Sequence, residues 1–152
     1  MECLIASPES MDGLARKIAR LAARGDVIAL SGELGTGKTR FARAFIRARL
    51  GRDEDVPSPT FTLAQRYGQG QEIIWHFDLY RLDSPGELDE LGMEDAAGEA
   101  IVLIEWPERL DRSLSPHGLE IRIAFADQPE ARRVSLRGRG RWEDLIAELT
   151  WP

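Results

Sequence analysis

The sequence feature that most constrains this chain is an eight-residue motif at positions 32–39. These residues read Gly-Glu-Leu-Gly-Thr-Gly-Lys-Thr and match G-x-x-x-x-G-K-[ST], the pattern of a loop that binds polyphosphates. An uninterrupted apolar run at 27–30 precedes the motif, and a helical pattern follows it. Glycines let such a loop wrap phosphates, and the following helix directs backbone N–H groups at them. The motif and its context therefore predict a phosphate-binding strand–loop–helix unit.

Two side chains of the motif carry its expected chemistry. Lys38 is predicted to bridge the β- and γ-phosphates of a nucleotide, and the hydroxyl of Thr39 is predicted to ligate Mg²⁺. Lysine is rare here: the chain has two, Lys17 and Lys38, beside 18 arginines. Guanine-specific proteins with this loop commonly use an Asn-Lys-x-Asp element, and the chain has no asparagine. The expected nucleotide is therefore ATP.

Helix and strand patterns alternate along the chain. Apolar residues at helical spacing predict a first helix from Pro8 to Gly25, and continuous apolar runs at 27–30 and 101–104 predict strands buried on both faces. Further predicted elements are a helix at 37–50, hairpin strands at 61–67 and 72–80 joined by Gly68-Gln69-Gly70, a short helix at 85–91, antiparallel strands at 119–126 and 131–137, and a helix at 142–149. This order predicts an α/β fold: a single P-loop NTPase-like domain over residues 1–152, with helices flanking a mixed sheet that has a parallel core and antiparallel hairpins.

Composition excludes several classes of protein. The 152 residues match the rough prior of about 150 per domain. A net charge of −6 argues against a free-standing nucleic-acid binder, and a single cysteine, Cys3, cannot form a disulfide framework. The first residues lack a basic start, and no stretch approaches the roughly 18 apolar residues that span a bilayer. We expect a cytoplasmic protein that does not contact membranes.

Two acidic residues are candidates to complete the site. Glu105 directly follows the strand at 101–104, where an acid that holds Mg²⁺ or orients the nucleophile belongs. Aspartate is more usual there, so metal binding and polarisation of water both stay open for Glu105, as does an exposed strand-end carboxylate. Asp78 shares one strand face with Ile74 and His76 by alternation. The alternative for Asp78 is a structural ion pair with Arg81.

Other polar residues have weaker signals. Thr60, in the segment Pro57 to Thr62, is a candidate switch that senses Mg²⁺ or the γ-phosphate, although its prolines equally suit a rigid turn. His76 is interpreted as a strand-packing histidine rather than a base. The acidic segment 83–99 is interpreted as a solvated helical face. Five arginines near the end of the chain are interpreted as part of a solvated strand and turn. The alternative is that they contact phosphate, RNA or a partner. They are Arg132, Arg133, Arg137, Arg139 and Arg141.

Four motifs in order resemble those of the bacterial TsaE family. They are the loop at 32–39, then Ser-Pro-Thr-Phe-Thr at 58–62, His-Phe-Asp-Leu-Tyr-Arg-Leu at 76–82 and Ile-Glu-Trp-Pro-Glu at 104–108. The resemblance covers nearly the whole chain. It implies a Mg²⁺-dependent ATPase, weak when isolated, that is required for N6-threonylcarbamoyl modification of adenosine 37 in tRNA. Such proteins act beside a TsaB–TsaD pair. The resemblance implies that ATP hydrolysis by the TsaE protein resets this assembly between turnovers.

The resemblance also implies roles for individual residues. It assigns Thr39 and Glu105 to the binding of Mg²⁺. The catalytic residues that it implies for hydrolysis are Asp78, Lys38 and Glu105. It places six consecutive residues at the phosphates: Gly35, Thr36, Gly37, Lys38, Thr39 and Arg40. Arg132 matches an arginine near the nucleotide, and Pro8 matches the segment near the base. Arg40 departs from the family pattern, in which a second small hydroxyl residue is common.

Two other functions are kept as alternatives. A small-molecule kinase would use Arg109 and Arg112 as lid residues, but the chain has little room for a helical lid and an acceptor pocket. A nucleotide-dependent scaffold would bind ATP with negligible hydrolysis. For the function that the TsaE resemblance implies, the anionic composition and the lack of a strong RNA motif predict that contact with tRNA runs mainly through partner proteins.

Overall fold

The computed structural model of the chain describes residues 1–59, 62–84, 86–90, 92–110 and 117–150. Within these ranges the elements follow one another in the order β1 (Glu2–Ile5), α1 (Pro8–Leu21), β2 (Val27–Ser31), α2 (Lys38–Leu50), β3 (Ala64–Gln69), β4 (Glu72–Asp78), α3 (Gly86–Glu90), α4 (Met93–Glu99), β5 (Ile101–Glu105), a 3₁₀ turn (Pro107–Arg109), β6 (Gly118–Phe125), β7 (Arg132–Arg139) and α5 (Trp142–Glu148). None of the described helices is both long and apolar enough to cross a membrane.

The described strands form one mixed sheet in the order β1-β7-β6-β2-β5-β4-β3. Strand β2 lies at its centre and pairs in parallel with both β5 and β6, and β4 pairs in parallel with β5. The outer pairs β3–β4, β6–β7 and β1–β7 are antiparallel. The predicted α/β fold with a parallel core and antiparallel hairpins is therefore confirmed.

Helices cover both faces of the sheet. Helices α1, α2 and α5 pack on one face, where Phe41, Phe45 and Trp142 are among the largest buried side chains. On the other face, α4 packs against alternate residues of β4 and β5, including Phe77 and Ile104. All residues of β5 are buried, because a central parallel strand is covered on both sides.

Local signals explain the ends of the first two helices. At the start of α1, Ser7 Oγ accepts a hydrogen bond from Ser10 N–H at 3.2 Å, and Pro8 occupies the first turn. Helix α1 ends at Leu21, four residues before the predicted end at Gly25. There Asp26 Oδ2 accepts a hydrogen bond from Ala23 N–H at 2.8 Å, which turns the chain into β2. The end of α2 at Leu50, before a left-handed Gly51, is as predicted.

The hairpin prediction was wrong in its turn. Strand β3 begins at Ala64 and continues through Gly68 and Gln69, so the turn lies at Gly70 and Gln71. Gly68 pairs with Ile73 inside the ladder. Its φ is +85°, and a Cβ there would lie 1.8 Å from the carbonyl oxygen of Glu72. Gly68 thus allows the two strands to approach closely and is not part of the turn.

Two described elements were missed by the sequence patterns. Strand β1 alternates weakly, and Leu4 is 60% exposed, so its pairing with β7 rather than its own pattern defines it. Helix α4 lies in the acidic segment interpreted as a solvated face, and it buries Met93 and Ala96. The predicted helix at 85–91 is present as α3, while Pro85 and Leu91 lie outside the described residues.

Candidate functional site

Three parallel strands bring the candidate residues to one edge of the sheet. The chain leaves β2 at Ser31 and enters the glycine-rich loop, and β4 and β5 end at Asp78 and Glu105. Register places Glu105 opposite Leu30 on one side and opposite Asp78 on the other. Carboxyl ends of parallel strands meet at one edge, which is where α/β proteins bind ligands. The loop and both predicted acids therefore share one site.

The loop folds tightly around its own backbone. Gly32, Gly35 and Gly37 all have positive φ, at +151°, +83° and +114°. A Cβ on Gly32 would lie 2.3 Å from the carbonyl oxygen of Ile123, so β6 passes too close for any larger residue. The side chain of Thr36 is buried and donates to the carbonyl of Glu33 at 2.9 Å. The loop is thereby preshaped at the start of α2.

The N-terminus of α2 presents backbone donors. Gly37 is the N-cap residue, no side chain makes a capping hydrogen bond there, and the first turn has no acidic residue. The first N–H groups of a helix have no partner within it, and they carry partial positive charge. An anionic group is the ligand that such a terminus favours.

Lys38 lies beneath this loop. Its Nζ donates to the carbonyl oxygens of Gly32 and Glu33 at 2.6 and 2.9 Å, and it lies 4.2 Å from the ring centroid of Trp106. The side chain is 5% exposed. Burial lowers the pKa of the Lys38 ammonium, while the charges of Glu105 and other carboxylates oppose that shift. A buried cation held by two carbonyls is poised for a stronger anionic partner.

Glu105 is held by two side chains. Its Oε1 accepts a hydrogen bond from Thr39 Oγ1 at 2.8 Å, and its Oε2 lies 2.6 Å from Nε2 of His76. Glu105 is 2% exposed and His76 is 0% exposed. A carboxylate only accepts hydrogen bonds, so Nε2 of His76 is the donor when Glu105 is ionised. Burial excludes the alternative of a solvated strand-end carboxylate for Glu105.

Asp78 also accepts two hydrogen bonds. Its Oδ2 accepts from Ser58 Oγ at 2.8 Å, and its Oδ1 accepts from the backbone N–H of Tyr80 at 3.0 Å. The carboxylate is buried at the end of β4. Ser58 belongs to the segment that contains the candidate switch, and Thr60 itself lies outside the described residues. These contacts fix Asp78 beside the segment that follows α2.

A cavity of about 490 Å³ opens between the loop and these acids. That volume is in the range of small-molecule sites. Tyr80 and Trp106 form an aromatic wall, with ring centroids 4.9 Å apart. The cavity is lined by Leu34, Gly35, Gly37, Lys38, Thr39, Arg40, Ser58, Asp78, Tyr80, Arg81, Glu105 and Trp106. The structure thus brings most of the predicted residues around one opening.

Three further predicted residues have other partners or positions: Arg132, Arg40 and Pro8. Arg132 donates from Nε to the carbonyl of Thr36 at 2.9 Å, and its guanidinium lies 5.0 Å from the ring of Phe125, so it braces the loop from β7. Arg40 lines the cavity, but its guanidinium donates to both carboxylate oxygens of Asp12, at 2.9 and 2.7 Å. This hydrogen bond raises the pKa of Arg40. Pro8 begins α1 and is not among the lining residues.

Three participants were not assigned roles from sequence. His76 contacts Glu105, Trp106 contacts Lys38, and Ser58 contacts Asp78. The signal for His76 was its alternation with Asp78 on one face of β4, although packing was the preferred interpretation. Trp106 has φ of +60°, which alternation along a strand cannot anticipate.

This geometry defines a class of protein, the α/β proteins that carry a glycine-rich loop and paired acids at the carboxyl edge of a mixed sheet. A family model described as "Threonylcarbamoyl adenosine biosynthesis protein TsaE" matches residues 5–134. The chain belongs to the TsaE family, a family of tRNA threonylcarbamoyladenosine biosynthesis.

Individual relatives agree with the family match. The chain is 38% identical over 125 residues to the tRNA threonylcarbamoyladenosine biosynthesis protein TsaE of Rickettsia felis, covering 82% of this chain and 73% of that protein. The TsaE protein of Bacillus subtilis is 35% identical over 146 residues, 95% of this chain and 90% of its own length. The crystal structure of Bacillus subtilis YdiB superposes with a TM-score of 0.79 at 28% identity, covering 97% of this chain and 91% of YdiB.

Proposed function

We propose that this chain binds and hydrolyses ATP with Mg²⁺ and acts with a TsaB–TsaD complex in threonylcarbamoyl modification of adenosine 37 in tRNA. The observation that carries the proposal is the hydrogen bond of 2.8 Å between Thr39 Oγ1 and Glu105 Oε1 at the N-terminus of α2. It joins a hydroxyl from the glycine-rich loop to an acid at the end of a neighbouring strand. Proteins that hydrolyse nucleotides place the same two groups at the metal and the attacking water.

The loop supplies the binding energy for phosphates. Backbone N–H groups of the loop and of the first turn of α2 would donate to phosphate oxygens, as would the ammonium of Lys38. Lys38 must first release the carbonyls of Gly32 and Glu33, which it contacts at 2.6 and 2.9 Å. Phosphate oxygens are stronger partners for an ammonium than neutral carbonyls, because both groups are charged.

The oxygen donors fit a magnesium ion. Mg²⁺ prefers oxygen ligands and is usually bound by one or two protein groups together with substrate phosphates and water. Thr39 and Glu105 would hold it here, and their oxygens already lie in hydrogen-bond contact. When bound, Mg²⁺ supplies neutralisation of charge on the β- and γ-phosphates. Donation of the hydroxyl proton to Glu105 leaves the oxygen lone pairs of Thr39 available to the ion.

Hydrolysis requires a group that accepts a hydrogen bond from the attacking water and so orients it. Glu105 and Asp78 both line the cavity, and a carboxylate oxygen of either would orient the water toward the γ-phosphorus. We assign neither acid preferentially. His76 fixes the carboxylate of Glu105 through its 2.6 Å contact, and Ser58 fixes that of Asp78. Slow turnover by the isolated chain is expected, since Lys38 must leave its two carbonyl partners before reaction.

The proposed cellular setting is the cytoplasm, in company with the two partner proteins. The chain has a net charge of −6, and its contact with tRNA is proposed to run mainly through those partners. The family name supports a place in tRNA modification, while the cavity and its acids support nucleotide chemistry.

The test is calorimetry with ATP and MgCl₂, followed by phosphate release with and without TsaB–TsaD. Lys38→Ala is expected to abolish binding and release. The matched control is Lys17→Ala, which removes the other lysine. Lys17 lies on α1 and is not among the residues that line the cavity, and its Nζ donates to the carbonyl of Thr150. Normal turnover in Lys38→Ala contradicts the proposal. A phosphorylated nucleoside or sugar in place of free phosphate identifies a kinase, and ATP binding without release in the complex identifies a scaffold.

A further inference from the structure

A second cavity, of about 360 Å³, lies between α1 and α2. We call it the arginine groove, because four arginines and one acid are its charged lining residues: Arg16, Arg40, Arg43, Arg47 and Asp12. Arg40 lines both this groove and the cavity of the candidate functional site. The groove therefore neighbours the proposed nucleotide site through Arg40.

The guanidinium groups of two groove arginines are held in place by the backbone. Arg43 donates from Nε to the carbonyl of Val56 at 3.1 Å, and Arg47 donates from Nε to the carbonyl of Glu54 at 2.8 Å. Neither bond uses the terminal Nη groups. Arg47 also contacts Asp53 at 3.2 Å, but Asp53 is 91% exposed, where an ion pair contributes little. Fixed guanidinium groups lose less entropy when they bind a ligand.

Arg16 is the least engaged of the four. It is exposed on α1, and it makes no hydrogen bond or ion pair with any part of the chain that the structure describes. The acid of the lining, Asp12, is occupied by Arg40 through two hydrogen bonds. Among the described residues, the other three arginines make no ion pair with a carboxylate that lines the groove. In a chain of net charge −6, such a concave positive surface attracts an anion with several charges.

We propose that the arginine groove binds the phosphodiester backbone of RNA. This inference rests on the proposed function, which makes a tRNA the RNA concerned, and it adds a direct contact to those made through partner proteins. Arg43 and Arg47, the α2 arginines that Asp12 does not occupy, lie about 6 Å apart along the helix axis at 1.5 Å per residue. That length suits more than one phosphate, and guanidinium groups bind phosphate oxygens in pairs.

The uncharged lining argues for phosphates rather than an acidic protein segment. Among the described residues that line the groove, Ala44 and Ala48 are the apolar ones, and none is aromatic. A protein partner normally anchors through large apolar or aromatic side chains in a pocket. Bases need aromatic surfaces on which to stack. The groove offers neither, so the contact it supports is to the backbone and is independent of sequence.

The test measures binding of the full chain to a fluorescent tRNA transcript by anisotropy, at low and at physiological salt. Arg16→Glu is expected to weaken binding about tenfold and to reduce the salt dependence by about one phosphate contact. Arg16→Gln is expected to weaken binding less. Arg133→Glu makes the same charge change at an exposed position of β7 and is expected to change the affinity less than twofold.

Three results would overturn the proposal: no binding of tRNA at low salt, equal weakening by Arg16→Glu and Arg133→Glu, or groove-dependent binding of a polyglutamate peptide in preference to tRNA. The last result assigns the groove to an acidic protein. Circular dichroism shows whether each variant is folded. Calorimetry with ATP on the same preparations separates the two proposals: normal ATP binding with no RNA binding overturns the groove alone, whereas absent ATP binding overturns the proposed function.

Discussion

His76 is a fully buried residue whose Nε2 lies 2.6 Å from Oε2 of Glu105. Leucine at this position has a similar apolar bulk but no donor, so one oxygen of a buried carboxylate loses its partner. We expect His76→Leu to lower the free energy of unfolding by about 1–3 kcal/mol, the cost of an unsatisfied buried group. We also expect Mg²⁺-dependent phosphate release to fall at least about tenfold, because a freed Glu105 rotates away from Thr39.

A conservative variant separates positioning from packing. His76→Gln retains an N–H donor, and we expect it to recover part of the turnover that His76→Leu loses. Calorimetry with ATP in the absence of Mg²⁺ should give similar affinities for both variants, since neither touches the loop amides. If His76→Leu hydrolyses ATP at the unsubstituted rate, the histidine only fills space.

At the scale of elements, two glycines in regular structure predict opposite effects of one chemical change. Gly13 lies inside α1, where an added Cβ meets nothing within 4 Å. We expect Gly13→Ala to raise the free energy of unfolding by about 0.5–1 kcal/mol. Gly68 has φ of +85°, and its Cβ would lie 1.8 Å from the carbonyl of Glu72. We expect Gly68→Ala to lower that free energy by more than about 2 kcal/mol and to separate β3 from β4.

Urea unfolding followed by circular dichroism measures both changes, and each variant is the control for the other. A stabilising Gly68→Ala would contradict the left-handed backbone and the close approach of the two strands at Gly68. The sign of that change therefore tests the backbone conformation at this position.

The sequence predicts elements well where the signal is local. The strand at 27–30 and the helix ending at Leu50 were within one residue of β2 and α2, because an apolar run, a left-handed glycine and a motif all lie in adjacent positions. Strand β1 was not predicted, because its extended conformation depends on pairing with Val134 and its neighbours on β7, over a hundred residues away. The contact between His76 and Glu105 likewise depends on the register of β4 on β5. Alternation identifies the shared face but not which side chains meet.

On the scale of the whole molecule, an ion pair joins the last helix to the start of the central strand. Asp26 is buried before β2 and accepts from Nε of Arg141 at 3.1 Å, and Nη2 of Arg141 also donates to it. We expect Arg141→Met to lower the free energy of unfolding by about 1–3 kcal/mol. Arg139→Met breaks a surface pair with Glu120 and is expected to cost less than about 1 kcal/mol. Thermal unfolding compares the two, and equal losses would contradict a special role for Asp26.

The edge of the sheet offers a reporter for opening of the folded chain. Cys3, the single cysteine, lies in β1 opposite Val134 of β7. Burial, with help from the charge of Glu2, raises the pKa of the Cys3 thiol from an ordinary 9.0 to about 11. The thiolate is the reactive form, so at pH 8 the folded chain holds about 100-fold less of it than the unfolded chain.

Alkylation of Cys3 at pH 8 should therefore be at least that much slower in the folded protein than in urea. Because the folded pKa is raised, the associated stability is complete below about pH 9 and is lost as the pH rises toward 11. Mass spectrometry of iodoacetamide-treated protein measures the labelling rate.

Arg141→Met should speed labelling only through global unfolding, whereas Val134→Ala, which loosens the partner strand, should speed it well before α5 unfolds. Equal labelling in folded and unfolded protein would mean that β1 does not stay paired with β7 in solution.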